Sequence, residues 1–227
     1  MQYGALGIDT AGPVIGVGFY SEHVVASWEE RITRGADAKL MPKIQEYVST
    51  FNVEVVAVSI GPGAFTGLRV GIASALGVAM ALGKLVVPVS ALMARAALIR
   101  QEHTLSLLDA RKKRVYAQHF DGSHLIPKPL TEAVDAPLQL VLDHSIRYAV
   151  GEGAIRYKDI LLEYGVKVPP DSDRSPALEV ARLGWLMKDS AVPSHQIQPQ
   201  YIRSAGVTPP KGLGVALGTP SANRQEG

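Results

Sequence analysis

Hydrophobic positions in the first hundred residues change from a two-residue period to a helical period. The turn chemistry of Gly12-Pro13 makes the first two predicted strands antiparallel neighbours. Later strands alternate with helices, and Thr66 and Ser90 are predicted N-caps. The predicted elements are strands Tyr3–Asp9, Val14–Tyr20 and His23–Arg31, helix Ala36–Thr50, strand Val53–Ile60, helix Thr66–Leu82, strand Leu85–Val89 and a helix from Ser90 to about Gln101. This order predicts a mixed sheet flanked by helices.

A similar order of elements restarts near the middle of the chain. Its first strand ends in Asp109, just as the first strand of the chain ends in Asp9. The predicted elements are strands Thr104–Asp109, Arg114–Phe120 and Arg147–Val150, helix Ala154–Tyr164, a short strand Val166–Val168 and helix Ala177–Lys188. We therefore predict an α/β protein with two related halves, 1–102 and 103–205. Residues 206–227 have neither a helical nor a strand period, which predicts a flexible tail.

The amino-acid composition limits the kinds of core and functional site that the chain can form. Of the 227 residues, 47% are hydrophobic and only 6% are aromatic, so Val, Leu, Ile and Ala must build the core. The chain has no cysteine, which excludes disulfides, thiolate catalysis and Cys-ligated metal sites. A net charge of +2 does not by itself indicate a nucleic-acid partner. No signal-peptide pattern is present, and the uncharged run between Arg69 and Lys84 is short for a membrane span, so we expect a cytoplasmic protein without membrane association.

A glycine-rich segment, Gly61–Gly71, follows the predicted strand Val53–Ile60 and opens the next helix. A strand that leads into such a loop and a helix N-terminus can bind phosphate. The segment is not a P-loop, because no Lys-Ser or Lys-Thr pair follows the required glycine spacing. It is not a Rossmann fingerprint either, because the gap after its second glycine is one residue too long. By itself the loop is a weak signal for a phosphate site.

The helix after this loop has a continuous ridge of small side chains. The ridge residues recur every four positions and are Gly67, Gly71, Ala75, Ala79 and Gly83. Such a ridge allows another helix to approach closely. After Arg69 the helix carries no charge, and a helix that is apolar on all sides must be covered on all sides. Either the helix Ala36–Thr50 of the same chain or a partner could supply that cover.

Two strand-end carboxylates, Asp9 and Asp109, are candidates for catalysis. In the actin-like ATPase and sugar-kinase superfamily, phosphate hairpins and metal-holding carboxylates occupy such positions. The hairpin after Asp9 contains Pro13, which lacks an N–H donor, and the hairpin after Asp109 contains no glycine. Both hairpins look unfit to cradle a nucleotide, so a turn carboxylate is the favoured interpretation of each Asp over catalysis.

Other catalytic signals are weak. No histidine spacing typical of a metal site is present, and the chain has no Gly-x-Ser-x-Gly elbow. The basic run Arg111–Arg114 has two interpretations. It could contact RNA phosphate or a carboxylate partner, or it could be a solvated turn, which is the favoured interpretation.

Four segments together resemble a known protein family, the bacterial TsaB proteins, also called YeaZ. The segments are LGIDTA (Leu6–Ala11), SIGPGAFTGLRVG (Ser59–Gly71), LLDARKKRVYAQ (Leu107–Gln118) and PQYIR (Pro199–Arg203). The resemblance covers roughly residues 1–205, and the second segment is its most specific element. It implies an actin-like ATPase (ASKHA, RNase H-like) fold with two subdomains, each with a mixed sheet flanked by helices. The implied subdomains are 1–102, which carries the partner interface, and 103–205.

The resemblance also implies work on tRNA. TsaB proteins help to form N6-threonylcarbamoyladenosine beside the anticodon of tRNAs that read ANN codons. TsaC makes threonylcarbamoyl-adenylate, and the metal-bearing paralogue TsaD transfers the group to adenosine with TsaB and the ATPase TsaE. We therefore expect a non-catalytic pseudo-enzyme that activates TsaD and meets tRNA indirectly, through the complex. No metal or cofactor is expected in the isolated chain, and ATP or ADP at the complex interface is left open.

The family pairs as homodimers, or as heterodimers with TsaD, through helices that correspond to Ala36–Thr50 and Thr66–Leu82. The expected interface residues are Leu40, Ile44, Gly67, Arg69, Gly71, Ala75 and Ala79. Substitutions such as Ala75→Arg or Ala79→Glu are expected to break pairing in a folded subunit. Because a cation near a helix N-terminus opposes the helix dipole, Arg69 is expected to have a carboxylate or phosphate partner.

A degenerate nucleotide or phosphate site is the second expected site. Its residues are Asp9, Thr10, Gly61, Gly63, Asp109 and Arg111. Two other functions stay open beside the leading one. An active small-molecule kinase or ATPase on the same fold would need phosphate-hairpin glycines, and a glycoprotease-like peptidase would need metal ligands or a nucleophile with its base.

Overall fold

The computed structural model describes residues 3–33 and 35–202, so the predicted tail at 206–227 and Arg203 of the last motif lie outside the described residues. The strands are β1 (Tyr3–Asp9), β2 (Val14–Tyr20), β3 (Val25–Arg31), β4 (Asn52–Gly61), β5 (Val86–Ser90), β6 (Thr104–Arg111), β7 (Arg114–Asp121), β8 (Lys128–Pro129), β9 (Val134–Ala136) and β10 (Tyr148–Val150). The helices are α1 (Ala36–Thr50), α2 (Phe65–Leu82), α3 (Ala91–Ile99), α4 (Glu152–Arg156), α5 (Lys158–Glu163) and α6 (Ala177–Leu186).

The first sheet is mixed, as the sequence predicts. Its strand order is β3-β2-β1-β4-β5, in which β1, β2 and β3 are antiparallel and β4 and β5 run parallel to β1. β1, β2 and β4 are buried along most of their length, which fits their near-continuous runs of apolar residues. Helices α1 and α2 cover one face of this sheet, and α3 and α6 cover the other.

The second sheet is also mixed and has the order β10-β6-β7-β8, with β9 paired to β7. β10 is parallel to β6, and β6 and β7 form an antiparallel hairpin. Helix α3 touches strands of both sheets and so lies between them. Two mixed sheets flanked by helices confirm the predicted fold class, while the division into 1–102 and 103–205 stays a prediction.

Several predicted boundaries are wrong. Thr66 is not an N-cap, because α2 begins one residue earlier and Ala64 is its cap. The predicted helix Ala154–Tyr164 is two short helices, α4 and α5, that meet at Tyr157. In place of the predicted strand Val166–Val168 there is one isolated bridge, from Lys167 to Tyr148. Ser90 is confirmed as a cap, since its hydroxyl accepts a hydrogen bond from the Met93 N–H.

Helix α2 is the one helix in the described part of the chain with the length and apolarity of a membrane span. The core helix of a soluble protein can have the same length and composition. The sheet accounts for the apolar character of one face of α2. The buried residues on that face are Leu68, Gly71, Ile72, Ala75 and Ala79.

Candidate functional site

A cleft of about 780 Å³ opens where the two sheets meet. The turns that follow β1 and β6 line it, together with the loop before α2 and residues of α4. Four of the six residues of the predicted phosphate site line this cleft, namely Thr10, Gly63, Asp109 and Arg111. Asp9 is fully buried and is not in the lining, and Gly61 lies instead against the carbonyl of Gln200.

The glycines of the loop before α2 allow close packing against the turn after β1. The Thr10 hydroxyl donates a hydrogen bond to the Gly67 carbonyl at 2.7 Å. The Ala64 N–H donates to the Ala11 carbonyl at 2.9 Å. A methyl group at Gly67 or Gly71 would collide with Thr10. These glycines are therefore explained by the approach of α2 to its own chain, without a phosphate.

A buried ion cluster connects the two sheets beside the cleft. Arg95 of α3 is 3% exposed, and its Nη2 lies 3.4 Å from Oδ2 of Asp9 at the end of β1. Its Nε lies 3.7 Å from Oε2 of Glu152 at the start of α4. Its Nη1 also donates to the Ala91 carbonyl at 3.0 Å. One guanidinium thus holds a carboxylate from each side of the cleft.

The cluster has more negative than positive groups when both carboxylates are ionised. Burial raises the pKa of Glu152 to about 7, although the Arg95 charge acts in the opposite direction; the Asp9 charge raises the pKa further. Asp9 Oδ1 is buried without a hydrogen-bond partner in the described structure. Glu152 therefore changes its charge near neutral pH.

This pKa gives the fold a specific pH dependence. A carboxyl whose pKa rises from 4.5 to about 7 on folding stabilises the folded state fully below pH 4.5, and that contribution is lost as the pH rises through 7. The loss is roughly 3 kcal/mol by pH 8.5. Glu152→Gln is expected to match the wild type near pH 5 and to be more stable by roughly 2–3 kcal/mol at pH 8.5.

Urea unfolding between pH 5 and 8.5 measures this difference. The matched control is Glu163→Gln, an exposed carboxylate on α5, which should follow the wild-type curve. Parallel curves for the wild type and Glu152→Gln across this range would contradict the assignment.

The β6–β7 hairpin forms the basic rim of the cleft. Its two-residue loop is Lys112-Lys113, and both residues have positive φ angles, of 51° and 60°. Arg111 also has a positive φ, of 60°. Such loops strongly favour Asn-Gly, and a left-handed conformation costs an ordinary residue roughly 1–2 kcal/mol. All three side chains are exposed, so the basic run is an exposed turn.

Comparison with known proteins shows which family the chain resembles. The family model of TsaD, tRNA N6-adenosine threonylcarbamoyltransferase, matches residues 31–165. An uncharacterized protein of Mycobacterium tuberculosis is 31% identical over 215 residues, which cover 90% of this chain and 93% of that protein. The tRNA threonylcarbamoyladenosine biosynthesis protein TsaB of Haemophilus influenzae is 27% identical over 225 residues, with 88% and 93% covered.

The chain belongs to the TsaB/YeaZ family. A solved structure, YeaZ from Pseudomonas aeruginosa, has the same fold, with a TM-score of 0.71 and 22% identity over 88% of this chain and 100% of that chain. This likeness confirms the expected fold. The Ser59–Gly71 motif is the loop that packs on Thr10, and the Leu107–Gln118 motif is the β6–β7 hairpin.

Most of the expected interface residues of this TsaB-family chain lie on the inward faces of α1 and α2, whereas Arg69 is exposed. Leu40, Ile44, Ala75 and Ala79 are buried inside the subunit. Gly67 and Gly71 of the small-residue ridge face Thr10, so this part of the ridge packs on the chain's own core; Gly83 caps the end of the helix and is exposed. The buried ridge residues Gly71, Ala75 and Ala79 therefore offer no contact surface in the folded subunit.

The opposite face of α2 is exposed and nearly uncharged. Ala73 and Gly77 lie on it, and the Met80 side chain is 73% exposed. A side chain added at Gly77 would meet no atom within 4 Å. This face carries a second line of small residues four positions apart, and it is the face of α2 that is available to a partner.

Arg69 lies at the N-terminal end of this exposed face. Its guanidinium lies 3.8 Å from the centre of the Phe65 ring, and its Nε donates to the Tyr201 hydroxyl at 3.3 Å. Between residues 3 and 202, as far as the structure describes them, Arg69 forms no ion pair, so the expected carboxylate partner is not found there. The cation–π contact with Phe65 offsets part of the unfavourable interaction between the Arg69 charge and the positive end of the helix dipole.

Sequence reasoning missed the two residues that join the sheets, Arg95 and Glu152. A signal was present for Arg95, because it is the one charged residue between Lys84 and Arg100. A single charge in an otherwise apolar helix indicates a buried partner. Glu152 had no comparable signal, because its burial depends on how the second sheet is placed against α3.

Proposed function

We propose that this chain is a non-catalytic subunit in the formation of N6-threonylcarbamoyladenosine in tRNA. In this proposal it activates the transferase TsaD, assembles with TsaE, and meets tRNAs that read ANN codons through the complex, in the cytoplasm. The observation that carries the proposal is similarity along nearly the whole chain to a protein named for this biosynthesis. The group transferred is threonylcarbamoyl, and its donor is threonylcarbamoyl-adenylate.

The geometry of the cleft supports a non-catalytic role. Asp9 ends the first strand, the position at which the actin-like ATPase and sugar-kinase superfamily has phosphate hairpins and metal-holding carboxylates. Here the Arg95 guanidinium lies against it, and the side chain has no exposed surface. The Thr10 hydroxyl is also occupied, because it donates a hydrogen bond to the Gly67 carbonyl of α2. Both residues are therefore used by the fold: Asp9 lies outside the lining of the cleft, and the Thr10 hydroxyl already donates its hydrogen bond.

The exposed face of α2 supports the role of a partner subunit. A nearly uncharged face with small residues at helical spacing suits close packing against another helix. Its large exposed apolar side chains, Met80 and Phe65, fit the apolar centre of a protein interface. We propose that TsaD, or a second copy in the homodimer, covers this face.

One observation favours a second candidate, an ATPase or small-molecule kinase. The cleft volume lies within the usual 300–1,000 Å³ range of ligand sites. This candidate predicts tight binding of ATP with Mg²⁺ to the isolated chain. Two features weigh against it: the cationic Arg95 at Asp9, and the basic hairpin that has no glycine to expose its backbone N–H groups.

The deciding experiment reconstitutes threonylcarbamoyl transfer to unmodified tRNA. Threonine, bicarbonate, ATP, TsaC, TsaD and TsaE are mixed with and without this chain. We expect modified adenosine only when the chain is present, because TsaD requires its partner. Equal modification without the chain would refute the proposed role, and ATP hydrolysis by the chain alone would refute the non-catalytic assignment and support the second candidate.

A further inference from the structure

We propose that the tip of the β6–β7 hairpin, Arg111–Lys113, is a binding surface for the sugar–phosphate backbone of tRNA. The inference rests on the proposed function, which makes tRNA the nucleic acid concerned. It goes beyond that function, because it places RNA in direct contact with this chain.

The backbone conformation of the tip is unfavourable for lysine. Lys112 and Lys113 occupy the two loop positions of a tight hairpin, and both have left-handed backbone angles. Asn-Gly fits these positions best, because the loop requires a positive φ at both residues. Lysine has no side-chain group that eases this conformation. Fold stability therefore does not explain two lysines here, and their charge does.

The positive charge of the tip is not neutralised by the carboxylates near it. The nearby carboxylates are already engaged: Asp109 pairs with Arg156 at 3.2 Å and accepts the Arg111 N–H at 2.9 Å, and Asp135 accepts from Arg114. In the part of the chain that the structure describes, Arg111, Lys112 and Lys113 form no ion pair. Three cations therefore project from the rim of a chain whose net charge is only +2.

The tip has no exposed apolar side chain that could anchor a protein partner. The exposed side chains of Arg111, Lys112 and Lys113 are all charged, and the one apolar neighbour within the turn, Ala110, is buried. Protein interfaces have an apolar or aromatic centre, whereas contacts with nucleic-acid backbone come from charged and polar groups, Lys and Arg among them, and need no apolar centre. The tip therefore fits the phosphates of RNA better than an acidic protein.

The test is the double variant Lys112→Asn/Lys113→Gly, which gives the loop its favoured residues and removes two charges. Its melting temperature is expected to rise by about 4 °C, because the strain is relieved. The assembled complex with TsaD and TsaE should bind an unmodified tRNA transcript at least tenfold more weakly at 0.1 M salt. The slope of log K against log salt should become shallower by about 2, because two phosphate contacts are lost.

The control is Lys128→Asn/Lys188→Asn, which also removes two exposed lysine charges but far from the tip in sequence. It should bind tRNA with nearly wild-type affinity. Equal weakening by the control would show that only net charge matters and would overturn the proposal. Unchanged tRNA affinity in the hairpin variant, or no salt-dependent binding by the wild-type complex, would also overturn it.

Two further outcomes separate the alternatives. If the hairpin variant loses affinity for TsaD while the assembled complex still binds tRNA normally, the tip is a protein contact and the RNA proposal is wrong. Threonylcarbamoyl-transfer assays on the same samples distinguish a failure of the proposed function from a failure of the hairpin proposal. If the wild type supports no transfer, the proposed function fails; if the variant matches the wild type in transfer and tRNA binding, only the hairpin proposal fails.

Discussion

Replacing Arg95 by methionine is expected to lower the free energy of unfolding by about 3–5 kcal/mol at pH 7.5. The substitution leaves Asp9 fully buried and without its cationic partner. An uncompensated buried charge is among the most destabilising changes that a single substitution can make. Methionine keeps most of the apolar volume of the arginine stem, so the loss reports mainly on charge.

Urea unfolding measures the effect. The control Arg156→Met removes an exposed arginine from the same cleft, where an ion pair contributes at most about 1 kcal/mol. The double variant Asp9→Asn/Arg95→Met removes both charges and should recover at least half of the lost stability. If Arg95→Met unfolds like the wild type, then Arg95 does not compensate Asp9 and the support for a non-catalytic cleft is lost.

The second prediction with a large expected effect compares a substitution on the buried face of α2 with one on its exposed face. Ala75→Arg is expected to prevent folding of the subunit, because it places a charged side chain where the alanine is completely buried. Gly77→Arg is expected to leave the fold intact, since the position is open, and to weaken pairing with TsaD or a second copy at least 100-fold. This reverses the expectation from sequence, in which Ala75→Arg left a folded subunit.

Circular dichroism and light scattering read out folding and pairing separately. Gly77→Ala is the matched control, because it adds only a methyl group to the same position and should stabilise the helix by about 1 kcal/mol. It should retain pairing. A stable dimer of Gly77→Arg would place the partner surface elsewhere, and a well-folded Ala75→Arg variant would contradict the inward orientation of the small-residue ridge.

The error about the face of α2 shows where sequence patterns reach their limit. The spacing of Gly67, Gly71, Ala75 and Ala79 correctly predicts a close approach by another part of the chain or a partner. Spacing alone does not say what approaches. Thr10 and the first sheet occupy that side, and this could not be predicted because Thr10 lies 57 residues before Gly67.

The first sheet could be predicted almost completely, because four of its strands are apolar runs, and its edge strand β3 alternates between half-buried and exposed positions. The second half was harder. Its strands β8 and β9 have two and three residues, too short to produce a period, and the sequence analysis did not predict them. The ion cluster depends on contacts between Asp9, Arg95 and Glu152, which are far apart in sequence. Local sequence patterns do not predict contacts between residues so far apart in the chain.

The position of α6 has a consequence for how the protein folds during its synthesis. This helix is formed by Ala177–Leu186, yet it lies on the first sheet, where Gly7 and Gly18 leave room for its backbone. During synthesis, the strands that contain these glycines leave the ribosome long before the helix that covers them. The part of this face that α6 covers, over β1 and β2, therefore stays open until most of the chain has emerged, and chaperones that bind nascent chains have that interval in which to act.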